Sequence, residues 1–131
     1  MRAIHIDPIH RSVASVEYSG DYQQIYHLID CDTFDVARIN NKGDGIFVDD
    51  EGLYKEHQTF FYIEGYPQPL AGKGLMLGTD ASGESVEPTL STDEVRQRVH
   101  FVTPLRTGNG NIVWVEQLED GVVATYMFEG A

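Results

Sequence analysis

A chain of 131 residues, 41% of them hydrophobic, fits one domain that buries roughly two thirds of its unfolded surface. Twenty-one acidic against nine basic side chains give a net charge of -12, and both halves of the chain are acidic, so the charge belongs to the folded surface rather than to a tail. That balance disfavours direct nucleic-acid binding, which needs a basic footprint, and suits solubility or a basic protein target.

The opening alternates: Ile4 and Ile6 share a face, Asp7-Pro8 marks a turn, and Ala14, Val16 and Tyr18 alternate again, predicting a hairpin. Asp21 is placed to cap a helix over 22–29, with Gln24 as its capping-box partner and Ile25, Leu28 and Ile29 on the buried face. Residues 33–39 and 45–49 read as a second hairpin around the turn-rich Asn40–Gly45. Thr59–Ile63 is apolar on both faces, as expected of a central strand. A Gly/Pro-rich passage, 65–83, follows, with Leu75-Met76-Leu77 as a short strand inside it.

Ser91-Thr92-Asp93-Glu94 is a capping box opening a short helix that buries Val95 and Val99. Phe101–Thr103 reads as a strand ended by Pro104. The last segment predicts a hairpin, 112–115 with 122–128, around Glu119-Asp120-Gly121, because Asp-Gly accepts the positive φ of a tight turn. The fold expected is therefore α+β: a mainly antiparallel sheet, two short helices on one face, and a C-terminal β-hairpin. It is read as a single domain over 1–131, with a core of 1–104 and the hairpin, 106–131, as an appendage.

Named chemistries fail one by one. Asn40, Asp44, Gly45 and Glu51 fall on calcium-loop positions, but Lys42 stands where an oxygen ligand belongs, so no metal is assigned. A phosphate loop would need glycine at Pro67 and a hydroxyl at Gly74. Gly72 and Gly74 fit the start of a dinucleotide fingerprint, yet Leu77 occupies the third glycine position and Gly78 comes one residue late. Cys31 lies between Asp30 and Asp32, which raise a thiol pKa and argue for a small buried hydrophobe rather than a nucleophile. His5, His10, His27, His57 and His100 show no metal-ligand spacing. The reading is of a non-enzyme with no cofactor.

What the sequence leaves as candidate binding residues is the 65–79 segment, with Tyr66, Gly72, Lys73, Gly74 and Thr79, where backbone N–H groups and one lysine can cradle an anion. Tyr66 and Tyr54 are tyrosines beside flexible or acidic turns, a composition of contact surfaces. Asp44, Asp49, Asp50 and Glu51 are the candidate acidic surface. One cysteine excludes an intrachain disulfide and points to a reducing cytosol. The apolar start is too short for a signal peptide, and no segment reaches bilayer-spanning length, so a cytoplasmic protein without a membrane partner is expected.

Met1-Arg2-Ala3-Ile4-His5-Ile6-Asp7-Pro8, the helix at 21–29, Val48-Asp49-Asp50-Glu51-Gly52-Leu53 and the run from Pro69 to Gly78 together resemble a family of small phage- and plasmid-borne proteins in a domain-of-unknown-function grouping. The resemblance covers about residues 1–104, and the C-terminal hairpin departs from it. It implies a mobile-element context and no established activity. The first functional expectation is a non-enzymatic phage accessory protein that binds a basic host protein, such as a defence component, in the host cytoplasm through its acidic surface. The alternative is a small-molecule or nucleotide-binding protein using 65–79. A homo-oligomer formed through strand edges is also expected.

Overall fold

The computed structural model describes residues 1–52, 55 and 58–128. The strands β1 (Arg2–Asp7) and β2 (Ser12–Glu17) form the first hairpin, and β3 (Phe34–Arg38) pairs with β4 (Gly45–Asp49) as the second. The two hairpins do not pair with each other. β7 (Gly74–Thr79) enters between them and pairs antiparallel with β1 and β4, giving the order β2-β1-β7-β4-β3, with the two-residue β8 (Ser85–Val86) on the end of β7.

A second antiparallel sheet has the order β11-β10-β9-β5-β6, built from β5 (Phe60–Ile63), β6 (Leu70–Ala71), β9 (Val99–Arg106), β10 (Ile112–Gln117) and β11 (Val123–Tyr126). Alternation decides what lies between the sheets. Ile4, Ile6, Ile46 and Met76 of the first sheet and Phe61 and Ile63 of the second are fully buried in one cluster. Burying each such side chain contributes roughly 1.5–3 kcal/mol. The opposite face of the first sheet buries Ala3, Leu75 and Leu77 beneath α1 (Gln23–Leu28), whose neighbourhood supplies Ile25, Ile29 and Cys31. β7 is thus apolar on both faces because it is covered on both.

This architecture corrects the α+β expectation. The protein is mostly β, in two sheets. The two α-helices among the described residues, six and seven residues long, are too short to form a layer and do not share a face. α1 covers the outside of the first sheet, whereas α2 (Thr92–Arg98) puts Val95 into the cluster between the sheets. The expected central strand, β5, belongs to the second sheet, because it pairs with β9 and not with the hairpins.

Local signals fared unevenly. The Ser91–Glu94 capping box forms in both directions: the Ser91 hydroxyl accepts from the Glu94 N–H at 3.1 Å, and Glu94 accepts from the Ser91 N–H at 3.1 Å. Asp120 and Gly121 both adopt positive φ at the C-terminal turn. At α1, however, Tyr22 is the N-cap, and Gln24 turns back to the Ser19 N–H and Glu17 carbonyl instead of closing a box with Asp21. Pro104 does not end its strand either. Pairing with β5 stops at Val102, so beyond it one edge of β9 is open and a residue lacking an N–H is tolerated.

Candidate functional site on the outer face of the second sheet

Because β5 buries Phe61 and Ile63 inward, Phe60 and Tyr62 point to the opposite face of the second sheet. The register then decides their neighbours. Tyr62 stands opposite His100, Val102 opposite Glu116, and Trp114 opposite Tyr126. One face therefore gathers Phe60, Tyr62, His100, Trp114, Glu116, Tyr126 and, just after β11, Phe128.

The rings form a continuous network. Phe60 meets Trp114 edge-on at 5.0 Å between centroids, Tyr62 lies 4.7 Å from Phe128, and Tyr126 stacks on Phe128 at 6.2 Å. Tyr62 and Tyr126 sit three inter-strand steps and four residues along the strands apart, roughly 20 Å in a flat sheet, yet their rings approach to 5.9 Å. Their long side chains lean together over His100, which contacts both.

A polar chain runs through this apolar face. His100 Nε2 lies 2.6 Å from Glu64 Oε2, and Nδ1 lies 2.9 Å from Glu116 Oε2. The Tyr126 hydroxyl donates to Glu116 Oε1 at 2.6 Å. Both ring nitrogens face carboxylate oxygens, so both donate only when the ring is the imidazolium. Burial pulls the His100 pKa down, but the hydrogen bonds to Glu64 and Glu116 outweigh it and leave it above the ordinary histidine value. Burial, followed by the Glu116 hydrogen bond, pushes Tyr126 up to about 12. Neither group is arranged as a base or nucleophile. The arrangement holds charge in place.

Beside the network a groove of about 530 Å³ opens between Gln68 and Pro69 on one side and Ile112, Trp114, Met127 and Phe128 on the other. Ile112 and Met127 are exposed there, and no described element covers them.

The sequence-predicted residues fall elsewhere, with one exception. Gly72 adopts a φ of +80° beside Gln58, as its turn requires. Gly74 is buried: a Cβ there would stand 2.7 Å from the Ile46 side chain and 2.9 Å from the Phe61 ring, so its smallness lets the two sheets meet. Lys73 is held by Asp30 at 2.6 Å, and Thr79 is an exposed strand end pairing with Ser85. A hollow of about 160 Å³ at Gly72 and Lys73 also contains Lys55, itself paired with Asp49. Both cations are thus spent on carboxylates, and the volume falls below the roughly 300 Å³ at which small-molecule sites begin. Tyr66 is the exception. It packs against the core and lines a hollow next to the groove.

Of the acidic surface, Asp50 and Glu51 are exposed, but Asp44 and Asp49 are buried. Asp44 accepts from the Thr89 N–H at 2.8 Å, the Thr89 hydroxyl at 2.5 Å and the Asn40 amide at 2.9 Å, fastening the 80–90 loop to the second hairpin. Cys31 is buried, and burial followed by Asp49 raises its thiol to about 11. Tyr54 and His57 lie outside the described residues. No group of three or more metal-ligating side chains occurs among the described residues. Nor is any described helix long and apolar enough to cross a membrane.

Fold and site together define a mostly β, two-sheet domain with an aromatic and acidic face. The chain belongs to a family described as a domain of unknown function (DUF3846), whose model matches residues 1–100. It is similar to the uncharacterized protein y4iR of Sinorhizobium fredii (strain NBRC 101917 / NGR234), at 31% identity over 77 residues. That match covers 59% of this chain and 46% of y4iR, so the chain spans about half the length of this curated relative. No solved structure matches. Residues 101–131 lie beyond the family match, so Phe60, Tyr62, Glu64 and His100 come from the matched region, whereas Trp114, Glu116, Tyr126 and Phe128 do not.

Proposed function

We propose that this chain is a non-enzymatic accessory protein of a phage or plasmid that binds a basic host protein, such as a defence component. The observation that carries the binding role is the convergence of Phe60, Tyr62, Trp114, Tyr126 and Phe128 with Glu64 and Glu116 on one sheet face. Aromatic rings contribute contact area at low entropic cost, and ring faces with nearby carboxylates attract lysine and arginine side chains. The net charge of -12 adds long-range steering towards a positive surface. The phage or plasmid setting is supported by the sequence resemblance.

Affinity capture from a bacterial lysate tests this reading. The immobilised chain should retain a protein with a basic surface in low salt and release it in high salt, since steering and rim charges are screened. Recombinant partner and chain should then bind as an isolated pair. Retention of nothing basic, or salt-insensitive binding, contradicts the proposal.

A further inference from the structure

Two neighbouring hollows share a wall. The groove lined by Pro69, Ile112, Trp114, Met127 and Phe128 is apolar, whereas the hollow across Gln68 and Pro69 sets Asp35, Asp50 and Tyr66 around an apolar floor that includes Val48 and Leu70. Asp35 and Asp50 are exposed, and no described basic side chain pairs with them. The apolar side is equally open: Ile112 is 45% and Met127 69% exposed. An apolar seat and an acidic seat thus lie back to back, separated only by the Gln68-Pro69 ridge.

We infer that this ridge is a bipartite docking site for an extended basic peptide segment of a partner protein. One apolar side chain enters the groove against Trp114 and Phe128, and an arginine or lysine a few residues away lies against Asp35, Asp50 and the ring of Tyr66. This rests on the proposed binding function and adds the chemistry of the bound segment. Charge complementarity selects the occupant. A second copy of this chain would bring another -12 to an already acidic rim, whereas a basic segment neutralises it. The two seats divide the work: the apolar anchor supplies the desolvated contact, and the charged end supplies register and orientation. Pro69 fixes the ridge between them through its restricted φ.

Trp114 is the sole tryptophan, so its fluorescence reports directly on the groove. The probes are acetylated decapeptides with one leucine or phenylalanine and two arginines placed one to five residues from it. Their controls replace the arginines by glutamate or the apolar residue by serine. At least one spacing should blue-shift Trp114 saturably, and each control should bind at least about tenfold more weakly, as the loss of 1.4 kcal/mol would give.

Asp35→Asn with Asp50→Asn should erase the preference for arginine over glutamate while the blue shift persists at higher peptide concentration. Met127→Lys changes an exposed side chain and so spares the fold; it should abolish the shift. No response at any spacing, or equal binding of the glutamate controls, overturns the inference. So does a Trp114 shift that follows the concentration of the chain alone with a dimer in sedimentation, because the groove then belongs to a second copy. Lysate capture separates the two claims: if Met127→Lys still retains a basic protein in a salt-sensitive manner, the function stands and the groove assignment falls. If the unsubstituted chain retains no basic protein, the functional reading falls whatever the peptides do.

Discussion

Replacing His100 by glutamine removes the imidazolium that joins Glu64 of the family-matched region to Glu116 of the C-terminal hairpin. Glu116 has a side chain only 15% exposed, so its bond to an imidazolium is a charge-assisted contact worth about 1.5–3 kcal/mol. Glu64 is 55% exposed, and its pairing adds about 0.5 kcal/mol. Packing of the imidazole against Tyr62 and Tyr126 adds about 0.5–1 kcal/mol, part of which glutamine restores. The expected loss is about 2–4 kcal/mol.

The assay is urea unfolding followed by Trp114 fluorescence between pH 5.5 and 9. The His100 pKa is raised in the folded state, so its contribution is complete below the ordinary histidine value of 6.5 and is lost as pH rises through the folded value. The unsubstituted chain should therefore lose stability across that rise, and His100→Gln should lack this component. Subtracting the two curves removes the other histidines. A difference under about 0.5 kcal/mol at pH 6, or one that does not shrink with rising pH, refutes the clamp.

Gly74→Ala should destabilise by about 1–3 kcal/mol, because the new methyl meets Ile46 and Phe61 between the sheets; a thermal melt within a degree of the unsubstituted chain would show that they yield freely. Asp44→Ala leaves the Thr89 N–H and the Asn40 amide without their acceptor and should cost about 3 kcal/mol in chemical unfolding. Burial raises the Asp44 pKa, but its hydrogen bonds to Thr89 and Asn40 outweigh this and hold it below 3.8. Its contribution is thus present above that pH and lost as pH falls through the folded value, which an acid titration of both proteins detects. Cys31, buried with a thiol near pKa 11, should react with a disulfide reagent at pH 8 only as fast as the protein opens, and prompt stoichiometric labelling would contradict its burial.

The contrast between Ser91–Glu94 and Phe60–Tyr62 shows what the chain discloses when read alone. The capping box, the Asp120-Gly121 turn and the first two hairpins are set by residues within a few positions of one another, so their chemistry is legible locally. The division into two sheets is not, because it depends on β5 finding β9 and β7 inserting between two hairpins, pairings between strands distant in sequence. The aromatic face shares that fate. Phe60 and Tyr62, and Tyr126 and Phe128, each show the spacing of two that places side chains on one face, but only the register across β9 and β10 puts both pairs on the same face. The surroundings of the glycine-rich segment are equally non-local. Gly74 is small so that Phe61 can pack on it, and Lys73 is bound to Asp30, so residues that resemble an anion cradle serve the core and an ion pair. Its real contribution to a surface is the Gln68-Pro69 ridge.

The most direct test of the binding role is the salt dependence of affinity for the captured partner, read from Trp114 fluorescence with recombinant proteins. A saturable blue shift and a dissociation constant that rises steadily with salt are expected, with both the shift and the affinity reduced by Met127→Lys. An affinity indifferent to salt would contradict the binding role, and salt-sensitive binding that leaves Trp114 unmoved would overturn the groove as the place where the partner sits.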